Sequence, residues 1–198
     1  EVRAEVSVGY WWRPAPRWSI DINSGFEMSR LEQSGDTAQT TDLAYWKPSL
    51  QITRSIGARN QLRARLYRDI GQLNFEDFAA NAELESSSVF AGNPNLRPET
   101  SWRIEVAGDW RVDDAALEFV SYHWAISEAL DFVPVGDPGD QFDARGNIGD
   151  ASLSGVRVTF ETPLPIIANA TLRGEGIWQA SEVTDPLTDE TRSQSEIV

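Results

Sequence analysis

The chain has 198 residues, a formal net charge of −14 and no cysteine. This length fits one domain. The negative charge argues against a nucleic-acid partner, because phosphate binding requires a basic face, and the lack of cysteine excludes zinc–thiolate sites, redox pairs and disulfides. No apolar run approaches the length of about 18 residues that a transmembrane helix needs, but strands of about 9–11 alternating residues can also cross a membrane.

Apolar and polar residues alternate with a period of two along most of the chain, which is the pattern of half-buried β-strands. In residues 2–12 the even positions are apolar or aromatic, whereas the odd positions are mostly polar. The same alternation predicts further strands over residues 17–29, 46–53, 61–70, 102–112, 152–161 and 170–179, and a weaker one over 115–130. The sequence therefore predicts eight strands and no convincing helix.

The predicted connections are short and long in strict alternation. The short ones are "RPAP", "GARN", "DD" and "PLPII", and the long ones are residues 32–43, 74–100, 131–150 and the region from 181 onward. This alternation predicts an all-β, antiparallel up-and-down meander with tight turns at one end and long loops at the other. Outer-membrane barrels have the same asymmetry, with short periplasmic turns and long extracellular loops.

Aromatic residues lie next to these connections and on the apolar face of their strands. Trp and Tyr are enriched at the boundary between a membrane and water, so we expect two interfacial belts. The periplasmic belt would contain Tyr10, Trp12, Trp18 and Trp110, and the outer belt Trp46, Trp102 and Trp178. Trp11 falls on the other face and has no explanation in this scheme. A soluble β-sandwich also alternates, but it gives no reason for aromatic strand ends to accompany alternating loop lengths.

Two segments resemble signatures of TonB-dependent outer-membrane receptors. "AGNPNLRPETSWRIEVAGDW", residues 91–110, is similar to the segment in which an Asn-Pro-x-Leu-x-Pro-Glu loop enters a barrel strand, and "GNIGDASLSGVRVTFETPLP", residues 146–165, is similar to a second family strand. The matching residues are Asn93, Pro94, Leu96, Pro98, Glu99, Asn147, Gly149, Gly155 and Val156. "RDIGQLNFEDF" and "SEVTDPLTDETR" resemble two further segments, so the resemblance covers residues 68–192, while residues 1–67 fit by pattern alone.

The resemblance implies that residues 1–198 are an open segment of a large transmembrane β-barrel of about 22 strands with a plugged lumen, in a bacterial outer membrane. It implies as partners the outer-membrane lipid, a plug domain that this segment lacks, the TonB complex, and a small ligand such as a siderophore, cobalamin or saccharide. We therefore expect the chain to be a piece of a longer protein. The alternative is a complete small eight-stranded outer-membrane barrel with a structural or adhesion role, which requires its first and last strands to pair.

The signature residues also have a physical interpretation. Pro94 and Pro98 fix their own φ angles and bias Asn93 and Arg97 toward extended geometry, and Leu96 between them can anchor on apolar surface. These features predict a structural role, in which the loop is stiffened where it enters the strand, rather than direct ligand contact. Glycines 146, 149 and 155 suit turns or bulges close to the start of a strand.

Charged residues occupy the strand positions opposite the apolar ones. The residues predicted to face the lumen are Arg63, Arg65, Arg103, Glu105, Arg111, Arg157, Arg173 and Glu175, together with Asp109 and Glu161. Such a mixed wall can hold a plug through ion pairs and water, and it can equally contact a passing anionic ligand. The sequence does not separate these two roles.

No catalytic, cofactor-binding or metal-binding site is predicted. His123 is the only histidine, and no Gly-x-Ser-x-Gly elbow is present, so we do not expect an enzyme. Five aspartates in one loop region could offer oxygen ligands to a hard cation: Asp131, Asp137, Asp140, Asp143 and Asp150. Their spacing does not match a Ca²⁺-binding loop, and the expectation is a solvated acidic loop.

Overall fold

The structure is a computed structural model. It describes residues 2–33, 39–73, 81–83, 88–90, 93, 96–135, 142–164, 166–167, 169–184 and 190–193. Within these ranges there is no helix of sufficient length and apolar character to cross a membrane.

The regular structure consists of β-strands. They are β1 (Val2–Ala15), β2 (Trp18–Gln33), β3 (Gln39–Ile56), β4 (Asn60–Ile70), β5 (Asn81–Glu83), β6 (Ser88–Phe90), β7 (Thr100–Val112), β8 (Ala115–Ser127), β9 (Leu130–Val135), β10 (Phe142–Asn147), β11 (Ala151–Pro163), β12 (Thr171–Thr184) and β13 (Thr191–Arg192).

Nine strands form one sheet in the order β1-β2-β3-β4-β7-β8-β11-β12-β13, while β5–β6 and β9–β10 are separate two-stranded hairpins. The predicted all-β antiparallel meander is confirmed, and its eight long strands follow the predicted order. The sheet is open, with β1 and β13 at opposite ends of the order. The closure of the first strand onto the last that the small-barrel alternative requires is therefore not formed.

Two of the four predicted short connections, β1–β2 and β3–β4, are tighter than predicted, the β7–β8 connection is the predicted Asp-Asp pair, and the β11–β12 connection over residues 164–170 is longer than the predicted "PLPII". β1 continues to Ala15 and β2 begins at Trp18, so "RPAP" is mostly strand, with a register irregularity between Trp12 and Ala15. Pro14 is compatible with this strand because it lies within the irregularity and has no partner in the described register of β1 and β2, so its missing N–H breaks no ladder hydrogen bond. The two-residue connection between β7 and β8 places Asp113 at a φ of 52°, a left-handed conformation that Asp tolerates.

The prediction of a loop over residues 32–43 is wrong at both ends. β2 and β3 remain paired as far as Gln33 and Gln39. Residues 32–33 and 39–42 are all polar, so the alternation that signals a strand is lost although the backbone pairing continues. The long connections over residues 74–100 and 131–150 contain the two hairpins, and the region from 181 onward begins inside β12.

The chain forms two compact units, which are described separately. The sheet unit comprises residues 1–69, 102–123 and 155–178, and the loop unit comprises residues 70–101, 124–154 and 179–198. In the loop unit Ala129, Ile148, Ala151 and Val183 form a buried cluster.

In the sheet unit the strand register aligns residues of one kind on each face. Val6, Phe26 and Trp46 are opposite one another across β1, β2 and β3, and all three side chains are exposed. We call this surface the apolar face. The intervening positions, such as Glu27 in β2, belong to the opposite surface, the polar face.

Candidate functional site

The apolar face carries an uncharged band between two charged positions on β3. Asp42 and Arg54 share this face, and the five positions between them on the same face are Ala44, Trp46, Pro48, Leu50 and Ile52. The twelve-residue separation corresponds to about 40 Å along a strand at ~3.4 Å per residue, or about 29 Å across a membrane at a strand tilt of ~45°. This length is close to the bilayer hydrocarbon thickness of about 30 Å.

The seven aromatic residues predicted to form the belts have exposed side chains, with fractions between 37% and 64%. Two of them have polar partners. The indole N–H of Trp46 donates to Ser24 Oγ at 2.8 Å, and the guanidinium of Arg54 lies 5.2 Å from the ring centroid of Trp18. Amphipathic rings with such partners suit a boundary between lipid and water, although their position in a membrane stays a prediction.

A cluster of four charges lies on the polar face of β1, β2 and β3. The side chain of Glu27 is only 9% exposed and accepts from Arg3 at 2.8 Å and from Lys47 at 3.1 Å, while Glu5 lies 3.8 Å from Lys47. The two cations offset the cost of burying the Glu27 carboxylate. Sequence reasoning missed this cluster, because all four residues alternate correctly but the register that joins them cannot be read from the pattern.

A second group of polar contacts involves β4, β7 and β8. Arg63 lies 3.1 Å from Asp109 and 3.7 Å from Glu118, and the hydroxyl of Tyr67 donates to Glu105 at 2.8 Å. Partly exposed pairs of this kind contribute about 0–1 kcal/mol each. They therefore set the charge pattern of the face more than its stability.

The other residues predicted to face the lumen fall into two groups. Arg103 pairs with Asp69 at 2.9 Å, and Arg173 pairs with Glu161 at 3.1 Å. Within the described part of the chain, the remaining four residues have no oppositely charged partner: Arg65, Arg111, Arg157 and Glu175. Whether this surface faces a lumen stays a prediction.

In the loop unit the two signature segments contact each other through Asn147. Its side-chain oxygen accepts from the backbone N–H of Arg97 at 2.9 Å, and its amide donates to the carbonyls of Arg97 and Glu128, both at 2.8 Å. One asparagine thus satisfies both backbone groups of Arg97. We call this arrangement the Asn147 clasp.

Further contacts extend the clasp. The carboxylate of Glu99 accepts from the backbone N–H of Leu130 at 3.0 Å, and the amide of Asn93 donates to the carbonyl of Arg145 at 3.1 Å. Leu96 and Pro98 are buried, which agrees with the anchoring expected for Leu96. Pro94 lies outside the described residues. These two contacts join residues that are 31 and 52 positions apart, which no local sequence pattern reveals.

The signature glycines have different roles. Gly149 has a φ of 106°, a conformation open to glycine and costly for other residues, and its carbonyl accepts from the N–H of Ala129 at 2.8 Å. Gly155 lies within β11 beside Val156 and not in a turn. A Cβ at Gly155 would overlap the ring and hydroxyl of Tyr122, so this glycine permits close packing on β8.

The expectation of a solvated acidic loop is wrong for Asp131. Its side chain is 0% exposed and pairs with Arg192 at 2.8 Å, because the short strand β13 brings this arginine back to the start of the β9–β10 hairpin. Asp150 is exposed, Asp137 and Asp140 lie outside the described residues, and the side chain of Asp143 is likewise not described.

Among the described residues no group of three acidic or histidine side chains could hold a metal ion. His123 is exposed within β8.

No protein-family model and no curated protein matches the sequence. Several solved structures share its fold. The copper transporter OprC is 11% identical with a TM-score of 0.70, over 91% of this chain and 30% of that chain. The siderophore receptor PirA from Pseudomonas aeruginosa is 14% identical with a TM-score of 0.55, over 90% of this chain and 40% of that chain.

A mutant of the ferric enterobactin receptor PfeA from Pseudomonas aeruginosa is 13% identical with a TM-score of 0.52, over 89% of this chain and 35% of that chain. The chain has the fold of a TonB-dependent receptor barrel segment. The family resemblance seen in the sequence is thus confirmed as a likeness of fold. This chain spans less than half the length of each of the three proteins, which are described as transporters or receptors and not as enzymes.

Proposed function

We propose that residues 1–198 form part of the wall of an outer-membrane receptor barrel. The complete protein would take up a scarce small ligand across the bacterial outer membrane with energy delivered through TonB. The fold shared with a copper transporter and two siderophore receptors supports this proposal. The ligand of this protein is not assigned by that likeness.

The observation that carries the proposal is the two-sided character of the sheet unit. Its apolar face exposes aliphatic and aromatic side chains in several adjacent strands, including Val6, Ile22, Phe26 and Ile104. Covering each such side chain with an apolar environment is worth about 1.5–3 kcal/mol. Exposed apolar patches far larger than those of soluble monomers mark interaction surfaces. Because the uncharged band has charged residues at both ends, the hydrocarbon layer of a membrane is the environment that suits it.

The polar face supplies the complementary half of the proposal. Ion pairs and hydrogen bonds link its strands, as between Arg63 and Asp109, and it also carries arginines that have no carboxylate partner among the described residues. A water-filled lumen that holds a plug domain suits such a surface, because its charges stay hydrated or paired. The long connections would then lie at the cell exterior, and the short connections at the periplasm.

Single cysteines in the complete gene product, expressed in a Gram-negative host, test this topology. Thr40→Cys and Asp150→Cys should react with a membrane-impermeant maleimide on intact cells, because both residues are exposed and lie next to long connections. Arg59→Cys and Asp114→Cys, in the short turns, should react only after the outer membrane is permeabilised. Labelling of the short-turn pair on intact cells, or equal labelling of both pairs in a soluble fraction, would overturn the proposal.

The transport part of the proposal needs a separate measurement. Growth or uptake on copper and on ferric siderophores should be compared between a wild-type and a TonB-deficient strain that both carry the complete gene. Uptake of one of these ligands that requires both the receptor and TonB is the expected result. Correct topology together with receptor-dependent uptake that persists without TonB would retain the barrel and reject energised transport.

A further inference from the structure

Arg65 is one of the polar-face arginines that have no carboxylate partner within the described part of the chain. Arg63 and Arg103 both form ion pairs, whereas the guanidinium of Arg65 lies 4.1 Å from the ring centroid of Tyr67. Stacking on an aromatic ring orients a guanidinium and leaves its in-plane N–H donors available to another acceptor. Among the described residues, Arg65 is thus a positioned cation whose N–H donors have no acceptor.

A shallow depression of about 420 Å³ lies beside Arg65 on the sheet unit, lined in part by Gly9, Trp11, Asp21, Asn23, Ser49 and Gln51. The pairing register of strands β1 to β4 explains the form of this depression. Trp11, Asp21, Gln51 and Arg65 lie in one row across β1 to β4, and Gly9, Asn23 and Ser49 lie in the next row. Gly9 has no side chain, so space opens next to the Trp11 indole. The volume falls within the range of about 300–1,000 Å³ for small-molecule sites.

The lining residues combine three kinds of contact. Arg65 offers charge-assisted donors suited to a carboxylate, the amides of Asn23 and Gln51 offer both donors and acceptors, and Trp11 presents an indole that is 53% exposed. Asp21 adds an acceptor for a ligand hydroxyl. Trp11 is also held in place, because the guanidinium of Arg13 lies 4.4 Å from its ring centroid.

We propose that this depression, the Arg65 pocket, binds a small polyhydroxylated carboxylate. The carboxylate contacts Arg65, ligand hydroxyls contact Asp21, Asn23 and Gln51, and the C–H surface of the ligand covers the Trp11 ring. This role accounts for Trp11, which has no place in the interfacial belts. The inference rests on the proposed function, since a hydrophilic solute reaches this face only if it borders a water-filled lumen.

Calorimetric titration of the complete gene product, purified in detergent, with sodium gluconate at constant ionic strength tests the pocket. Glucose is the neutral control ligand. Gluconate should bind saturably and glucose at least tenfold more weakly. Arg65→Gln should weaken gluconate binding about tenfold or more, because it removes a charge-assisted hydrogen bond from a positioned cation. Trp11→Ala should also weaken it.

Arg157→Gln is the matched control, because Arg157 is another exposed polar-face arginine without a carboxylate partner among the described residues. This substitution should change the affinity for gluconate less than twofold. Equal binding of glucose, or equal weakening by Arg157→Gln, would overturn the proposal. Absence of gluconate binding would also overturn the proposal. If a water-soluble thiol reagent then fails to react with the Trp11→Cys variant, another part of the protein covers the pocket. If the maleimide topology holds while gluconate fails to bind, only the pocket is rejected and the receptor proposal stands.

Discussion

The loop unit buries a group of its apolar side chains in a core, whereas the sheet unit leaves most of its described large apolar side chains exposed. In the loop unit seven described hydrophobic side chains are buried, among them Leu153 and Val183, whereas in the sheet unit Val120 is the one described hydrophobic side chain that is buried. The sheet unit instead exposes residues such as Ile104 and Leu172. The loop unit therefore contains a core of its own, and the sheet unit needs its surroundings to cover it.

The two units also differ in how deeply their charged side chains are buried. The loop unit buries Asp131 completely against Arg192 and ties its segments together through the Asn147 clasp. The sheet unit keeps most of its ion pairs partly exposed, as in the pair of Arg63 and Asp109. Substitutions in the loop unit should consequently act on stability, whereas those in the sheet unit should depend on which face is changed.

Breaking the buried ion pair should have the largest effect. Arg192→Met removes the arginine that pairs with the buried Asp131 carboxylate and should destabilise the loop unit by about 3–5 kcal/mol. The double variant Asp131→Asn with Arg192→Met removes both charges and should cost clearly less. Thermal unfolding of the purified complete protein in detergent measures both, and a single variant as stable as wild type would mean that the pair does not hold the loop unit together.

A leucine substitution in each unit should separate the buried core from the exposed face. Leu153→Ala should cost about 2–5 kcal/mol, because Leu153 is 2% exposed and its loss leaves a cavity. Leu172→Ala, at a leucine that is 45% exposed, should cost much less in detergent. The same unfolding measurement applies, and similar losses at the two positions would contradict the assignment of a core to the loop unit alone.

The Asn147 clasp should have an intermediate effect. Asn147→Asp keeps the size of the side chain but replaces its amide donor by an oxygen that faces the carbonyls of Arg97 and Glu128. We expect a loss of about 1–3 kcal/mol from the unsatisfied acceptors. Hydrogen exchange should become faster at the backbone amides of Arg97 and Leu130 and stay the same in the sheet unit. If the exchange rates of both amides do not change, the clasp does not order these segments.

The smallest effect should come from the ion pair of Arg30 and Asp42, at the long-connection end of the apolar face. Hydrogen bonds from Arg30 hold the pKa of Asp42 below its ordinary value of 3.8. A lowered folded-state pKa means that this contribution is present above pH 3.8 and is lost as the pH falls through the lowered value. Asp42→Asn should therefore slightly reduce stability at neutral pH, and this effect should shrink as the pH falls below 3.8. An effect that does not depend on pH would exclude the carboxylate as the cause.

The period of two was sufficient to predict the eight long strands, their order and their two faces. It failed where polarity changes along a strand. Residues 30–33 extend β2 beyond its apolar part, and β8 alternates poorly because Val120 and Tyr122 share a face with Glu118, which contacts Arg63 at 3.7 Å. The ring and hydroxyl of Tyr122 pack against Gly155, so packing between strands overrides the pattern within one strand.

Contacts that depend on register or on distant segments could not be predicted from the sequence. The burial of Glu27 requires the alignment of three strands, and the pairing of Asp131 with Arg192 joins residues 61 positions apart. Asn147 and Arg97 were identified within or beside separate signatures, but nothing in either signature indicates that they contact each other. The sequence located the candidate residues, and the structure supplied their partners.

Neighbouring substitutions on opposite faces of β7 test the central claim most directly. Ile104→Arg places a charge on the apolar face and should cost about 2–4 kcal/mol near the membrane midplane. Glu105→Arg loses the hydrogen bond from Tyr67, worth about 1 kcal/mol, but its side chain lies on the polar face. The measurement is the yield of folded complete protein in the outer membrane. The account predicts a large loss for Ile104→Arg and near-normal yield for Glu105→Arg, and equal losses would contradict a sheet with one face toward lipid and one toward water.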